Sequence, residues 1–78
     1  MKVEIITPDE NLYSGDASSV VAPGIDGSLG ILENHAPIIT TLAEGLVKLT
    51  ESNGKNLSFN VKGGVLEVNN NKVIILAE

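Results

Sequence analysis

The stretch that decides the fold is Pro23–Pro37, with the sequence PGIDGSLGILENHAP. It contains two of the three prolines, three of the eight glycines and the only histidine of the 78-residue chain. Gly and Pro favour turns because one permits positive φ and the other fixes φ. Apolar runs of strand character lie on both sides, so this segment is predicted to fold back on itself. Its backbone and small side chains suit a docking surface.

The rest of the chain is predicted to form strands. Turn residues recur about every ten positions, the spacing of an all-β sandwich or barrel. Eight segments are predicted as strands, either from alternation or as short apolar runs bounded by turn residues. They are Lys2–Thr7, Leu12–Ala22, Ser28–Leu32, Ile38–Leu42, Val47–Thr50, Leu57–Lys62, Val65–Val68 and Lys72–Ala77. We expect one all-β domain over residues 1–78, a compact sandwich of two small, mostly antiparallel sheets.

Three local features refine this prediction. Thr7-Pro8-Asp9-Glu10 matches a helix capping box, but Gly15 follows five residues later, so a turn is predicted there. Gly15-Asp16 interrupts the second strand and predicts a bulge or bend. Gly63-Gly64 predicts a sharp corner where the chain crosses between sheets.

Two hairpins are predicted in the carboxyl half. A two-residue loop, Asn53-Gly54, would set Leu49 opposite Ser58 and Lys48 opposite Phe59. A three-residue loop, Ser52-Asn53-Gly54, instead sets Leu49 opposite Leu57 and Val47 opposite Phe59, with Glu51 across from Lys55, so it is favoured. For the last hairpin, a loop at Asn69-Asn70 pairs Glu67 with Lys72 and places four apolar residues on one face: Leu66, Val68, Val73 and Ile75. Ile74 and Leu76 occupy the other face, so the last strand is central or its outer face is covered.

Composition excludes several function classes. The net charge is −5, with five lysines and no arginine, which argues against a nucleic-acid partner. No apolar run approaches ~18 residues, so no membrane insertion is expected. Without a signal peptide or any cysteine, a cytosolic acidic module is expected.

No pattern of catalytic or ligand-binding residues is found. His35 has no second His or Cys to complete a metal site, so a hydrogen-bonded turn histidine is expected. Gly24, Gly27 and Gly30 match neither a dinucleotide fingerprint nor a P-loop, and Asp26-Gly27 is better explained as a hairpin turn. No cofactor, no small-molecule ligand and no enzymatic site are predicted.

Two other binding functions remain open at this point. Lys55 is predicted at a hairpin tip, as is the modified lysine of lipoyl and biotinyl carrier domains. Those domains carry it in a Met-Lys-Met or Asp-Lys-Ala setting, whereas this chain has Asn53-Gly54-Lys55-Asn56. An unrelated β-sandwich binding module is the other alternative.

Several segments together resemble a known family. Pro23–Leu32, followed by Asn34-His35-Ala36-Pro37, resembles the amino-terminal domain of the epsilon subunit of F-type ATP synthase. Ile5-Ile6-Thr7-Pro8, Gly63–Val68 and Asn71–Glu78 match the same family in order and spacing. The resemblance covers essentially the whole chain.

The resemblance implies a flattened ten-stranded β-sandwich and a non-catalytic role in the central stalk of a rotary, proton-translocating ATP synthase. The implied partners are the gamma subunit and the polar loops of the membrane c-ring. The domain would lie at the cytoplasmic face of the cell membrane, held peripherally in the catalytic sector, and would carry torque between ring and shaft.

The resemblance also implies two contact regions. The c-ring loops would face the turn formed by Ile25, Asp26, Gly27, Ser28, Leu29 and Gly30. The gamma subunit would face a second set of residues: Thr7, Asn34, His35, Ala36, Pro37, Ile39 and Leu42.

The sequence departs from the family pattern at three places. Many relatives have an acidic residue at the position of Ser28, so charge complementarity to the ring would come from Asp26. Many have proline at the position of Glu33, so the bend into His35 is expected to be less constrained here. Typical bacterial relatives continue into an inhibitory, in some cases ATP-binding, helical hairpin. Here the sequence stops at Glu78, so a short form without that arm, natural or truncated, is expected.

Overall fold

The computed structural model describes all 78 residues and contains eight strands and no helix. The strands are β1 (Lys2–Ile6), β2 (Asn11–Gly24), β3 (Gly27–Leu32), β4 (Ile38–Leu42), β5 (Gly45–Glu51), β6 (Asn56–Val61), β7 (Gly64–Asn69) and β8 (Lys72–Ala77). No helix is present that could cross a membrane. The predicted all-β architecture is confirmed.

The strands form one continuous hydrogen-bonded network in the order β1-β8-β7-β4-β2-β5-β6. β3 pairs with β2, and β1 also pairs with β2. Only β1 and β8 are parallel, so the sheet is mostly antiparallel as predicted. Two details differ from the expectation: there are eight strands rather than ten, and the two layers share a strand rather than forming separate sheets.

The shared strand is β2, which has 14 residues. Its first part pairs with β1, from Asn11 to Asp16. Its second part pairs with β5 on one side and with β3 on the other. Because each part bonds to different neighbours, one strand serves both layers and the strand count is lower.

The core is a single cluster of sixteen buried apolar residues to which every strand contributes. Along each strand these residues alternate with outward-facing ones, as a pleated strand requires. Ile5, Leu66 and Ile75 are completely buried and adjoin across β1, β8 and β7. No buried side-chain polar atom lacks a hydrogen-bond partner. The packed face of the sheet is therefore entirely apolar.

The β5–β6 hairpin confirms the predicted register. Leu49 lies opposite Leu57 and Val47 opposite Phe59. The Gly54 N–H donates to the Glu51 carbonyl at 2.8 Å, and Gly54 has φ of +93°. Glu51 and Lys55 are joined through their backbones at 2.7 Å, but their side chains form no ion pair, because the Glu51 carboxylate accepts a hydrogen bond from Tyr13.

The β7–β8 hairpin corrects the prediction by one residue. Its turn is Asn70-Asn71, with φ of 51° and 58°, so Asn69 pairs with Lys72 and Glu67 with Ile74. Positive φ at both central residues is the type I′ pattern that matches strand twist, and Asn tolerates it. Lys72 forms its ion pair with Glu4 on β1 instead, at 3.2 Å. The apolar face predicted for this hairpin is confirmed, since all four of its residues are buried.

The three remaining local predictions have different outcomes. Residues 7–10 form a turn as predicted, closed by Thr7 N–H donating to the Glu10 carbonyl at 2.8 Å. The corner before β7 is also confirmed: Gly64 has φ of +139°, and a Cβ there would lie 2.1 Å from the Leu76 carbonyl oxygen. No bulge lies at Gly15-Asp16, because the register is regular there and shifts beside Leu12 and Ser18. The alternative, a bend at these residues, stays a prediction.

Tyr13 explains the glycine at position 15. A Cβ on Gly15 would lie 2.6 Å from the Tyr13 hydroxyl oxygen, so the ring lies over this glycine. The ring also packs against Phe59, with centroids 5.7 Å apart, and its hydroxyl donates to Glu51 at 2.7 Å. Burial first, and then the hydrogen bond to anionic Glu51, raise the pKa of Tyr13 to about 12. This contact therefore stabilises the fold fully below pH 10.0, the ordinary pKa, and loses its contribution as pH rises through the raised pKa.

Because Tyr13 is the only tyrosine, its pKa can be measured directly from tyrosinate absorbance in the ultraviolet. We expect Glu51→Gln to lower this pKa toward the ordinary value, since the amide can still accept a hydrogen bond but carries no charge. Glu44→Gln, a neutralisation away from Tyr13, should leave it unchanged. An ordinary Tyr13 pKa in the folded wild-type chain would contradict this packing.

Candidate docking surface

The β2–β3 hairpin tip is exposed and anchored at its base. Ile25 and Asp26 connect Gly24 to Gly27, and Ile25 is 62% exposed. Gly27 has φ of +129°, the conformation that favours glycine. The Ile25 N–H donates to the Thr41 carbonyl at 3.0 Å, and the Ala43 N–H donates to the Pro23 carbonyl at 2.8 Å. These two hydrogen bonds hold the tip against the end of β4 and the residue that follows it.

The residues that follow the tip alternate between two environments. Leu29 is half-buried and packs beside Gly24, whereas Ser28 and Gly30 face outward. A Cβ added at Gly30 would meet nothing within 4 Å, and Gly30 does not have positive φ. The fold therefore does not require glycine at this position. A glycine inside a strand also marks places where another backbone approaches closely.

A second surface is the outer side of β1, β8, β7 and β4. Ile6, Leu76 and Val65 adjoin in one row, and Ile74 and Ile39 lie in the next row. They alternate with buried residues of the same strands, so they point outward. Ile39 is 72% exposed and Leu76 54%. We call these five residues the apolar outer face.

One carboxylate on this surface is unpaired. Glu67 lies between Ile39 and Ile74 in the same row. Glu4, at the end of that row, is neutralised by Lys72, whereas Glu67 forms no ion pair. Two shallow grooves of about 240 and 380 Å³ both include Glu67 in their lining. A cation brought by a partner could pair with this carboxylate.

The structure brings several members of the predicted second contact set to the rim of the apolar outer face. Thr7 lines a groove of about 270 Å³ with Ile6 and Leu76. Pro37 and Ile39 line the 380 Å³ groove beside Glu67. Asn34, His35 and Ala36 form the turn that leads into β4. Leu42 differs, because it is 3% exposed and its side chain belongs to the core.

His35 is a half-buried turn residue. Its Nδ1 lies 2.7 Å from the Ala36 carbonyl oxygen, so Nδ1 carries the proton and donates there. No group of three or more His, Cys, Asp and Glu side chains is placed to hold a metal ion. The ring helps to shape the turn.

The bend at Glu33 is held more firmly than expected. The amino group of Met1 pairs with the Glu33 carboxylate, and the Asn71 side chain donates to the other oxygen at 3.0 Å. The hydrogen bond from the Met1 amino group, and then that from Asn71, lower the pKa of Glu33. These contacts constrain a bend that lacks proline.

The hairpin tip and the Asn34–Pro37 turn, which borders the apolar outer face, lie at opposite ends of β3. The tip precedes β3 and the Asn34–Pro37 turn follows it. Five residue steps along a strand span roughly 17 Å, in a molecule whose extents are 27 × 24 × 18 Å. Two partners could therefore contact the chain at the same time.

Sequence reasoning singled out Ile39, Ile74 and Leu76 but missed Ile6, Val65 and Glu67. Its one available signal was β8, where Ile74 and Leu76 make both sides apolar. The contribution of Ile6 and Val65 depends on which strands become neighbours, and alternation within one strand does not reveal that.

Comparisons with known proteins agree on one family. The model described as "ATP synthase, Delta/Epsilon chain, beta-sandwich domain" matches residues 1–78. The chain is 43% identical over 77 residues to the ATP synthase epsilon chain of Chlorobium limicola, covering 99% of this chain and 88% of that protein. It is 46% identical over 76 residues to the epsilon chain of Pelotomaculum thermopropionicum, covering 97% of this chain but 56% of that protein.

A solved structure supports the fold. A chain in the cryo-EM structure of the Euglena gracilis mitochondrial ATP synthase superposes with a TM-score of 0.87 at 22% identity. The match covers 96% of this chain and 48% of that one. The likeness confirms the β-sandwich architecture, while the family model and the curated relatives establish the relationship. The chain belongs to the ATP synthase delta/epsilon chain family, whose β-sandwich domain matches residues 1–78.

Proposed function

We propose that this chain is a non-catalytic central-stalk component of a rotary ATP synthase, joining the gamma subunit to the c-ring. The observation that carries the proposal is the family match along the entire chain, together with 43% identity to an epsilon chain of similar length. The Euglena assembly in which the similar chain was solved contains F1 and a c-ring. The family match argues against a carrier domain modified at Lys55.

The gamma subunit is the partner we assign to the apolar outer face. Exposed apolar side chains that adjoin across several strands of a small domain are typical of an interface, because burying them releases ordered water. The face includes Ile39 and borders Thr7 and Pro37, three residues that the family resemblance places toward gamma. Glu67 adds a charge requirement, so the gamma surface should supply Lys or Arg opposite it.

The c-ring loops are the partner we assign to the hairpin tip. Ile25 offers an exposed apolar side chain, and Asp26 offers the charge that Ser28 lacks. Gly27 and Gly30 carry no side chain, so a polar loop could approach the backbone closely at these positions. This surface suits contact by shape.

The mechanical role follows from how little of the chain is loop. The 78 residues form 47 backbone–backbone hydrogen bonds, 37 of them within strands. A domain of this kind would deform little when torque acts between its two ends. ATP chemistry would take place in other subunits, with this chain held peripherally at the cytoplasmic face of the membrane.

Glu67→Lys tests the gamma assignment. We expect affinity for purified gamma subunit to fall roughly tenfold or more, since like charges would then face each other. Glu44→Lys makes the same change in net charge at an exposed site off the apolar outer face and should bind normally. Binding can be measured by titration calorimetry. A wild-type chain that does not bind gamma would overturn the assignment, and so would equal losses in the two variants.

Gly30→Phe tests the c-ring assignment. Gly27 is unsuitable because its positive φ would strain any side chain, whereas Gly30 has open space around its Cβ position. We expect normal thermal stability but ion pumping per ATP hydrolysed reduced by roughly tenfold in reconstituted enzyme, because the ring contact weakens. Ser58→Phe, on the exposed side of β6, serves as the matched control. Unaltered coupling in Gly30→Phe would remove the hairpin from the ring contact.

A further inference from the structure

Side-chain hydrogen bonds join two turns at the end of the molecule opposite the hairpin tip. The backbone N–H of Asn34 donates to Oδ1 of Asn71 at 2.8 Å. Nδ2 of Asn71 donates to Oε2 of Glu33 at 3.0 Å. The Asn71 side chain in the β7–β8 turn therefore bonds to Asn34, the first residue of the Asn34–Pro37 turn, and to Glu33 directly before it. These two residues are 37 and 38 positions away from Asn71 in the sequence.

Asn71 is itself held in place by the amino-terminal segment. Its carbonyl oxygen accepts a hydrogen bond from the Lys2 N–H at 3.2 Å. The amino group of Met1 donates to the Ala17 carbonyl at 3.1 Å and pairs with Oε1 of Glu33. Glu33 therefore receives Met1 on one oxygen and Asn71 on the other. We call Glu33, Asn34 and Asn71 the turn clamp.

The Asn34–Pro37 turn has little other support. The only backbone–backbone hydrogen bond that involves residues 33–37 runs from the His35 N–H to the Leu32 carbonyl, at 3.2 Å. Asn34 has φ of 61°, a conformation that asparagine tolerates better than most other residues with a side chain. Asn34, Ala36 and Pro37 are exposed, so core packing does not fix them. Apart from the bond between the His35 ring and the Ala36 carbonyl, the side-chain contacts of the turn come from outside it.

We propose that Asn71 is a positioning residue that holds the Asn34–Pro37 turn in the conformation competent to bind gamma. This inference rests on the proposed function, which assigns that turn to the gamma contact. Asn71 lies in a different turn and acts through Glu33 and Asn34. When the clamp opens, the turn samples other conformations, and apparent affinity falls by the fraction of molecules that remain competent.

The geometry of the β7–β8 turn allows a clean variant. Asn70 and Asn71 both have positive φ, and Asn-Gly is a favoured type I′ pair. Asn71→Gly therefore preserves the hairpin while removing the side chain of the clamp. Asn70→Gly is the matched control, because it places glycine in the same turn at positive φ and the Asn70 side chain makes no hydrogen bond in this structure.

The experiment measures amide hydrogen exchange of Asn34 by NMR, and affinity for purified gamma subunit, in the same three proteins. In Asn71→Gly we expect exchange at Asn34 to be roughly two- to tenfold faster, the range for loss of one hydrogen bond. Affinity for gamma should fall within a similar range. In Asn70→Gly, both readouts should stay at wild-type values, and both variants should remain folded in thermal unfolding.

Each other outcome overturns part of the proposal. Unchanged exchange at Asn34 in Asn71→Gly would show that no clamp exists. Faster exchange with unchanged affinity would show that the clamp does not serve gamma binding. Failure of the wild-type chain to bind gamma would instead overturn the proposed function, and the exchange measurement would still report whether the clamp forms.

Discussion

The hydrogen bonding of β2 is the constraint on which the rest of the structure depends. Its first part pairs with β1, and its second part pairs with β3 and β5, so one strand carries both layers around the core. β1 pairs with β2 along one edge and with β8 along the other, so the strands β1, β8, β7, β4 and β2 form a closed ring. Without β2, neither layer would bury its apolar side. A domain of this small size, with no disulfide, depends on such closure.

The same closure determines where the functional surfaces lie. β2 ends at the exposed hairpin, and β3 leads away from it to the Asn34–Pro37 turn. β4 then returns along β7 and brings Ile39 beside Glu67. The domain therefore presents two different surfaces: a hairpin tip with few large side chains, and the apolar outer face. That arrangement suits the proposed role of transmitting force between two neighbours.

The sequence predicted the features that depend on a local pattern of residues. It did not predict the contacts between segments that are distant in the chain. Alternation located the strands, and cross-strand residues selected the correct β5–β6 loop because Leu49 and Leu57 are apolar on the same side. The turn of the β7–β8 hairpin was predicted one residue too early. Three consecutive asparagines can each adopt positive φ, so composition does not show which two of them form the turn. The link from Asn71 to Glu33 spans 38 residues, so no local pattern could reveal it. Leu42 was assigned to a contact although its strand position turns it into the core.

The central claim is that the tip meets the c-ring while the apolar outer face meets gamma. The chain has no cysteine, so a single introduced thiol can carry a photo-crosslinker at one known place. Asp26→Cys labels the tip, and Ile39→Cys labels the apolar outer face; both positions are exposed and outside the core. Crosslinking in the assembled enzyme, followed by mass spectrometry of the products, should join Asp26→Cys to the ring subunit and Ile39→Cys to gamma. Exchange of these partners, or no crosslink to either subunit, would contradict the account.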